Sequence, residues 1–334
     1  MSDERLTVAV TGPTGTFGFG LIPLLEADPR IASVVGIARR PFDPSEHGWS
    51  KMTYHQGDVR DRDMLRDAFD RADVVVHLAF MITGTASRDT IRAINVEGTL
   101  NAFAAASAAA ASRFVYASSV AAYGFHQDNP VGMTEDWPTR PAARLFYAQE
   151  KAELEQLLRE QSDAHPEIAL YLLRPPIVLG PHAVGAKDAL PAPLAAIAQN
   201  ALDFAQRLPV PIPIPTPDLP MQFIHEQDVG QALLRCVVAD GPPGAYNIAG
   251  DGIVTAADVV RELGFTPVTV PAGVAQSAAR AAAQIPLPSF APPAAEWVEA
   301  ASHPAIMDTT KAKRELGWEP RYTGLEALRD TLNR

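Results

Sequence analysis

Short β-branched, apolar runs alternate with longer stretches of helical periodicity through the first half of the chain. Runs at Leu6–Thr11, Val34–Ala38, Met52–Gln56, Val74–Leu78, Arg113–Ala117 and Ala169–Arg174 predict six strands, and Ala245–Ala249 a seventh. Several are apolar almost throughout, as in Val74-Val-Val-His-Leu78, the signature of strands covered by helices on both sheet faces. Helical patterns lie between them, including an alanine-rich segment over Val96–Ser112 and another over Ala148–Gln161. In the latter, Leu154, Leu157 and Leu158 form the apolar stripe, and Glu150, Glu153 and Glu155 are expected to face water. Strands and helices in this alternation predict βαβ units, hence an α/β fold on a doubly wound parallel sheet.

The alternation stops after Arg174. Pro175, Pro176 and Pro181 interrupt it, and the proline-dense stretch Pro209–Pro220 forbids a long helix; an ordered loop in a second lobe is expected there. The chain then returns to the first domain through Phe223–Val238 and the run Tyr246-Asn-Ile-Ala-Gly250. The expected division is residues 1–176 and 222–250 in a large domain, with 177–221 and 251–334 in a smaller C-terminal lobe. The last helices include one with Asp308 as N-cap and Gly317 just past its C-terminus. No fixed-period repeat is present.

Composition narrows the class. The 334 residues are 47% hydrophobic and 20% charged, as in a folded globular protein with room for one large domain and a small lobe. A net charge of −11 without any Lys/Arg run argues against nucleic acid as a partner. An anionic ligand must then be captured by local groups against an unfavourable overall field. The single cysteine, Cys236, excludes an intrachain disulfide and lies in an apolar helical stretch, as a small core residue does. The charged Met1-Ser-Asp-Glu-Arg5 runs straight into a strand, and no apolar run reaches membrane-spanning length. A cytoplasmic protein is expected, with no metal site.

Two motifs bring chemistry into this frame. The first is Thr11-Gly-Pro-Thr-Gly-Thr-Phe-Gly18, directly after the first strand. Gly12 suits the tight turn, Gly15 lets a ligand's phosphates approach the backbone, and Gly18 lets the following helix pack close to the sheet. The helix start supplies unpaired N–H groups and partial positive charge for a dinucleotide pyrophosphate. The second strand ends Gly36-Ile-Ala38-Arg39-Arg40, with no carboxylate for adenosine ribose hydroxyls; guanidinium groups suit a 2′-phosphate, which favours NADP over NAD. Asp58, in Gly57-Asp-Val-Arg60, is placed either to bond an adenine amino group or to cap the next helix.

The second motif is Tyr147-x-x-x-Lys151, which sets a phenol and an ammonium one helical turn apart. A nearby ammonium stabilises phenolate and so lowers a phenol pKa that is ordinarily about 10. Such a pair can exchange a proton with a substrate hydroxyl or carbonyl. Ser118 and Ser119 end the fifth strand, where ligands of open α/β sheets bind, and either could orient a substrate oxygen or simply start a turn.

Taken together, these segments resemble the extended short-chain dehydrogenase/reductases, the NAD-dependent epimerase/dehydratase family. The marks are Thr11–Gly18, Gly57-Asp-Val59, His77-Leu-Ala79, Asn95-Val-Glu-Gly-Thr99, Tyr116-Ala-Ser-Ser119 with Tyr123-Gly124, and Tyr147-x-x-x-Lys151. Arg174-Pro-Pro176 with Gly180-Pro181, Phe223-Ile-His-Glu-Gln-Asp-Val229, Tyr246-Asn-Ile248 and Leu316-Gly-Trp318 continue the likeness over nearly the whole chain. The resemblance implies a seven-stranded Rossmann domain with a C-terminal substrate lobe, and an NAD(P)-dependent oxidoreductase or epimerase/dehydratase. It implies Tyr147 as acid/base, Lys151 on the nicotinamide ribose and Ser119 as the hydroxyl partner, with Ser118 supporting. The full expected cofactor set adds Thr14, Thr16, Phe17, Val59, Leu78, Ala79, Phe80, Ala117, Pro176 and Ile177 to the glycines, Arg39, Arg40, Asp58, Tyr147 and Lys151. His225 and Asp228 look like a structural motif of the family, and a homodimer is implied through the Val96–Ser112 and Tyr147–Gln161 helices.

One departure bears on substrate. Nucleotide-sugar members carry an Arg-Asp or similar pair just before the Phe-Ile-His segment, where the arginine grips a diphosphate; here those positions read Met221-Gln222. The preceding Pro209–Pro217 segment is apolar as well. The expected substrate is therefore a relatively apolar alcohol, aldehyde or ketone, bound among Met81, Ser118, Ser119, Tyr123, Tyr147, Leu179 and Met221. A sugar-type epimerase or dehydratase with a retained cofactor is the alternative.

Overall fold

Side chains on successive strand positions point to opposite sheet faces, and the core divides accordingly. Val8, Val10, Val74, Val76, Val115, Tyr171 and Leu173 pack into one hydrophobic cluster, and Ala9, Val75, Phe114, Tyr116, Leu170 and Leu172 into another. The computed structural model describes residues 5–82, 86–143, 145–183, 213–271, 274 and 303–332. Its main sheet has seven parallel strands: β1 (Leu6–Thr11), β2 (Ile31–Ala38), β3 (Met52–Gln56), β4 (Val74–His77), β5 (Arg113–Ala117), β6 (Ala169–Arg174) and β11 (Gly244–Asn247). Between the last two lie β7 (Ile177–Leu179), β8 (Pro213–Pro217), β9 (Pro220–Met221) and β10 (Phe223–His225); β12 (Val254–Thr255) and β13 (Thr266–Val270) follow. The sheet order is β11-β6-β5-β4-β1-β2-β3, so the winding reverses between β1 and β4 and opens a crevice at their carboxyl ends.

Helices cover both faces. Against the first cluster lie α1 (Thr16–Ala27) and, later in the chain, α6 (Glu226–Val237); against the second lie α2 (Arg62–Ala68), α4 (Gly98–Ala108) and α5 (Phe146–Ala164). The short α3 (Arg88–Arg92) precedes α4. Helices α1 and α6 touch backbone to backbone: a Cβ on Gly20 would lie 2.0 Å from the Glu226 carbonyl, and one on Gly230 2.0 Å from that of Gly20. Each buried leucine on these faces contributes about 1.5–3 kcal/mol. Cys236 is fully buried in α6, as a core residue. No helix among the described residues is long and apolar enough to cross a membrane.

Several boundaries differ from the sequence expectation. Strand β2 begins at Ile31 rather than Val34, β4 ends at His77, and β11 runs Gly244–Asn247 rather than Ala245–Ala249. The helix expected over Val96–Ser112 is shorter, because Ala93–Glu97 forms a π turn in which the Thr99 hydroxyl bonds the Asn95 carbonyl, and Ala110 ends the segment at a φ of 54°. Most of the described part of the proline-dense stretch is strand rather than loop: β8 pairs in parallel with β13. Only Ile214 and Thr216 in β8 retain an N–H, and both must face the partner, so the prolines at 213, 215 and 217 fall on the outer edge, where none is needed. Residues 209–212 lie outside the described residues.

The tail also departs from the expected division. Helix α7 (Ala256–Glu262) is followed by α8 (Thr310–Leu316) and α9 (Gly324–Thr331), and Ala312, Leu316 and Trp318 pack into the first core cluster. The chain therefore returns to the main sheet at 310–318. Gly317 caps α8 in the left-handed conformation, φ 58°, while the N-cap is Thr309; the Asp308 carboxylate bonds the Thr310 N–H from one residue further out. Asp228 accepts the Arg321 and Tyr322 N–H groups at 2.8 and 3.1 Å, and His225 stacks on Tyr322 while bonding Asp330 at 2.9 Å. Both side chains tie the tail to α6 and β10.

Candidate active site

The crevice beyond β1 and β4 is lined by Gly12, Thr14, Gly15, Arg39, Arg40, Val59, Leu78, Ala79, Phe80 and Met81, with Ile37, Ala38, Gly57 and Ile94. The glycines have separable reasons. Gly12 has φ 72°, and a Cβ there would press on the Ala79 backbone at 2.9 Å; a Cβ on Gly18 would meet the Pro13 carbonyl at 2.0 Å. At Gly15 a Cβ would touch only the Gly12 carbonyl, at 3.5 Å. The fold itself thus needs glycine at 12 and 18, whereas Gly15 leaves open space at the start of α1. That start carries no side-chain cap and no carboxylate in its first turn, so neither competes with or repels an anion there. The residues present fit a dinucleotide.

Other members of the expected cofactor set face elsewhere. The Thr16 hydroxyl donates to the His182 carbonyl at 2.9 Å, Phe17 packs against the first core cluster, and Pro176 is buried. Ile177 is 53% exposed at the start of β7. Asp58 neither lines the crevice nor caps α2, whose N-cap is Asp61; Arg60 holds it in a bidentate pair at 2.7 and 3.0 Å. Arg39 and Arg40 are exposed at the rim, and neither forms an ion pair among the described residues.

The strand end of β5 and the first turn of α5 bring the chemistry-bearing groups together. Ser119 caps a short 3-10 turn, Val120–Tyr123, accepting the Ala121 N–H at 3.2 Å, and its hydroxyl is near enough to the Tyr147 phenol to favour the phenolate. Lys151 is buried one turn along α5, donating to the Ala117 carbonyl at 2.7 Å and the Tyr116 hydroxyl at 3.1 Å. Its nitrogen is 5.8 Å from the Tyr147 ring centroid. The expected acidification of the phenol by the ammonium is therefore not a property of this state. Burial pushes the Tyr147 phenol up to about 12, opposed by the Ser119 hydroxyl, and burial brings Lys151 down to about 7 against the pull of Glu150 and Glu155.

Four expected substrate contacts are committed to the scaffold. Ser118 donates to Glu155 at 2.6 Å and is buried. Tyr123 is fully buried, its hydroxyl shared among Arg174, Asn247 and the Thr134 carbonyl. Leu179 lies in a small-lobe cluster with Phe223, Val254, Ala327 and Leu328, against which Met221 packs. Of the three glutamates expected in water, only Glu153 is even partly exposed, paired with Arg92. Glu155 accepts from Arg174 at 2.6 and 2.8 Å, and Glu150 accepts from Asn95 at 2.7 Å. The signal for Glu155 was an arginine closing the apolar strand Ala169–Arg174, since a buried guanidinium requires a buried carboxylate. His77, bonded to Thr11 and Thr99, is kept neutral by burial, at about 3.

A doubly wound parallel sheet with a glycine-lined crevice at its switch point defines the class: a Rossmann-type nucleotide-binding enzyme. The model of the NAD dependent epimerase/dehydratase family matches residues 8–249, and the chain belongs to that family, the extended short-chain dehydrogenase/reductase type. It is similar over 333 residues to an uncharacterized protein of Mycobacterium tuberculosis, 28% identical, covering 97% of this chain and 82% of that protein. Over 182 residues it is 34% identical to the N-acetyl-alpha-D-glucosaminyl-diphospho-ditrans,octacis-undecaprenol 4-epimerase of Escherichia coli, covering 54% of this chain and 50% of that one. Among solved structures, WbmG of Bordetella bronchiseptica in complex with NAD superposes with a TM-score of 0.70 at 19% identity, covering 99% and 94% of the two chains. The UDP-glucose 4-epimerase of Thermotoga maritima with UDP-glucose gives 0.71 at 19% identity, covering 98% of each. At that identity the superpositions show the shared fold.

Proposed function

We propose that this chain is a nicotinamide-dependent enzyme acting at a carbonyl or hydroxyl carbon, with Tyr147 as proton donor and acceptor, preferring NADP. The observation that carries the reading is the grouping of Ser119, Tyr147 and Lys151 beside the glycine-lined crevice. When bound, the coenzyme supplies or takes the hydride. The α1 amides hold its diphosphate, Lys151 its nicotinamide ribose, and Arg39 with Arg40 a 2′-phosphate. A phenol at about 12 is neutral at pH 7, so Tyr147 starts as a donor and suits protonation of a carbonyl oxygen during reduction. In this reading Ser119, whose hydroxyl acts on that phenol, presents a second hydroxyl to the same oxygen. The solved neighbours named above include one with NAD, so the NADP preference rests on the two guanidinium groups alone.

The substrate in this reading is a small, relatively apolar carbonyl compound or alcohol. Ile82 and Ile177 are 51% and 53% exposed near this end of the sheet, and Gln222 is engaged in both directions with the Met307 backbone, at 2.8 and 3.0 Å, rather than held out for a diphosphate. The named relatives support a second reading, a sugar-type epimerase or dehydratase that retains its coenzyme. Their printed chemistry favours this second reading over the first. Net change of nicotinamide absorbance with an apolar carbonyl substrate supports the first; turnover of a UDP- or dTDP-sugar without net change replaces it with the second. In either case Tyr147→Phe lowers kcat by about a hundredfold or more in a folded protein, and an unchanged rate removes Tyr147 from the chemistry.

A further inference from the structure

An ammonium has three N–H bonds to place, and that of Lys151 is buried. Two go to the Ala117 carbonyl and the Tyr116 hydroxyl. The nitrogen also lies 3.6 Å from the centroid of the Phe80 ring, well within cation–π range, so the aromatic face is the third partner. The same ring meets Tyr147 edge-on, with centroids 5.6 Å apart and planes at 87°, and it lines the nucleotide crevice. The backbone beside it is fixed. Asn95 accepts the Met81 N–H at 2.7 Å, returns a bond to the Met81 carbonyl at 3.0 Å, and donates to Glu150 at 2.7 Å. Asn95 stands in the π turn, which is what turns it toward this loop rather than along the helix ladder.

We propose that Phe80 is a positioning residue that latches Lys151: its ring face takes the ammonium's remaining donor direction in the free protein, and a coenzyme ribose must displace that ring to reach the lysine. This rests on the reading that Lys151 holds the ribose. The coenzyme then binds a state that is only a fraction of the population, and its apparent affinity is reduced by that fraction. Displacing the ring also removes the edge contact on Tyr147, so coenzyme binding and release of the phenol are one event.

The test is a titration of the purified chain with NADP and with NAD, by calorimetry, in four variants. Phe80→Leu removes the aromatic face and binds coenzyme about three- to thirtyfold more tightly than the wild type. Phe80→Tyr keeps the face and binds as the wild type does. In a Lys151→Met background the Phe80→Leu gain disappears, because there is no ammonium to latch. If Phe80→Leu fails to fold, Phe80→Met carries the same expectation. Unchanged or weaker binding by the folded Leu or Met variant overturns the latch, as does a gain that survives in Lys151→Met. Wild-type binding decides the underlying reading separately: a chain that binds neither coenzyme overturns that reading and the latch with it.

Discussion

Glu155→Gln is the substitution whose cost follows most directly from the structure. The carboxylate is fully buried and receives Arg174 through Nε at 2.8 Å and Nη2 at 2.6 Å, with Ser118 at 2.6 Å. Arg174 is almost as buried, and among the described residues its other bonds reach only the neutral Tyr123 hydroxyl and the Glu135 carbonyl. Removing the negative charge leaves a guanidinium in low dielectric without its directly bonded counter-ion, at a cost of about 3–5 kcal/mol. The second cation, Arg159, is 47% exposed, so its pairing adds no more than about 1 kcal/mol. Urea denaturation should show the midpoint fall with little change in slope, and replacing both partners (Glu155→Leu with Arg174→Met) should cost much less than the sum of the single changes. Acid adds a check on sign. Burial alone would raise the Glu155 carboxyl, but the Arg174 bond and charge, with Ser118 and Arg159, hold it below its ordinary 4.5. Its stabilisation is therefore complete above that value and lost as pH falls below it, and the Gln variant should lack this part of the acid slope. A loss under about 1 kcal/mol for Glu155→Gln would refute the argument.

Three further outcomes follow. Arg39→Ala should weaken NADP by about tenfold or more while leaving NAD within about twofold, measured by titration; equal effects remove the 2′-phosphate assignment. Gly18→Ala should destabilise the fold, because its Cβ meets the Pro13 carbonyl at 2.0 Å, whereas Gly15→Ala should melt near the wild-type temperature yet bind coenzyme weakly; similar melting losses for both would contradict the separation drawn between them. Lys151, brought down to about 7 from an ordinary 10.5, binds its proton less tightly folded than unfolded, so the stability of the free protein should rise as pH increases from 7 toward 10. Denaturant midpoints across that range should climb in the wild type, and a climb undiminished in Lys151→Met assigns the slope elsewhere.

The sheet was readable in the sequence because central parallel strands are apolar on both faces, and the phosphate loop because its glycines act over a few residues. The start of β2 was not, since Ile31-Ala-Ser33 sets one buried position beside an exposed and a half-buried one at the sheet margin. Glu150 and Glu155 read as water-facing because their partners, Asn95 and Arg174, come from distant elements, and helical periodicity alone carries no information about them. The distinction between the two serines was present but unread: Ser118 shares strand parity with Phe114 and Tyr116, which face the cluster containing α5, and so it turns to Glu155. Ser119, one position on, is left for Tyr147. The lysine's partners include the aromatic at position 80, whose approach only the folded chain brings about.

The alternating prolines of β8 also bear on how copies of this protein meet one another. Pro213, Pro215 and Pro217 turn away from β13, and Pro267 likewise turns away from β8, so both rims of this ribbon are short of donors that a stranger's strand would need. A ribbon so furnished can be joined from within its own fold, yet offers crowded neighbours little purchase for unwanted polymerisation.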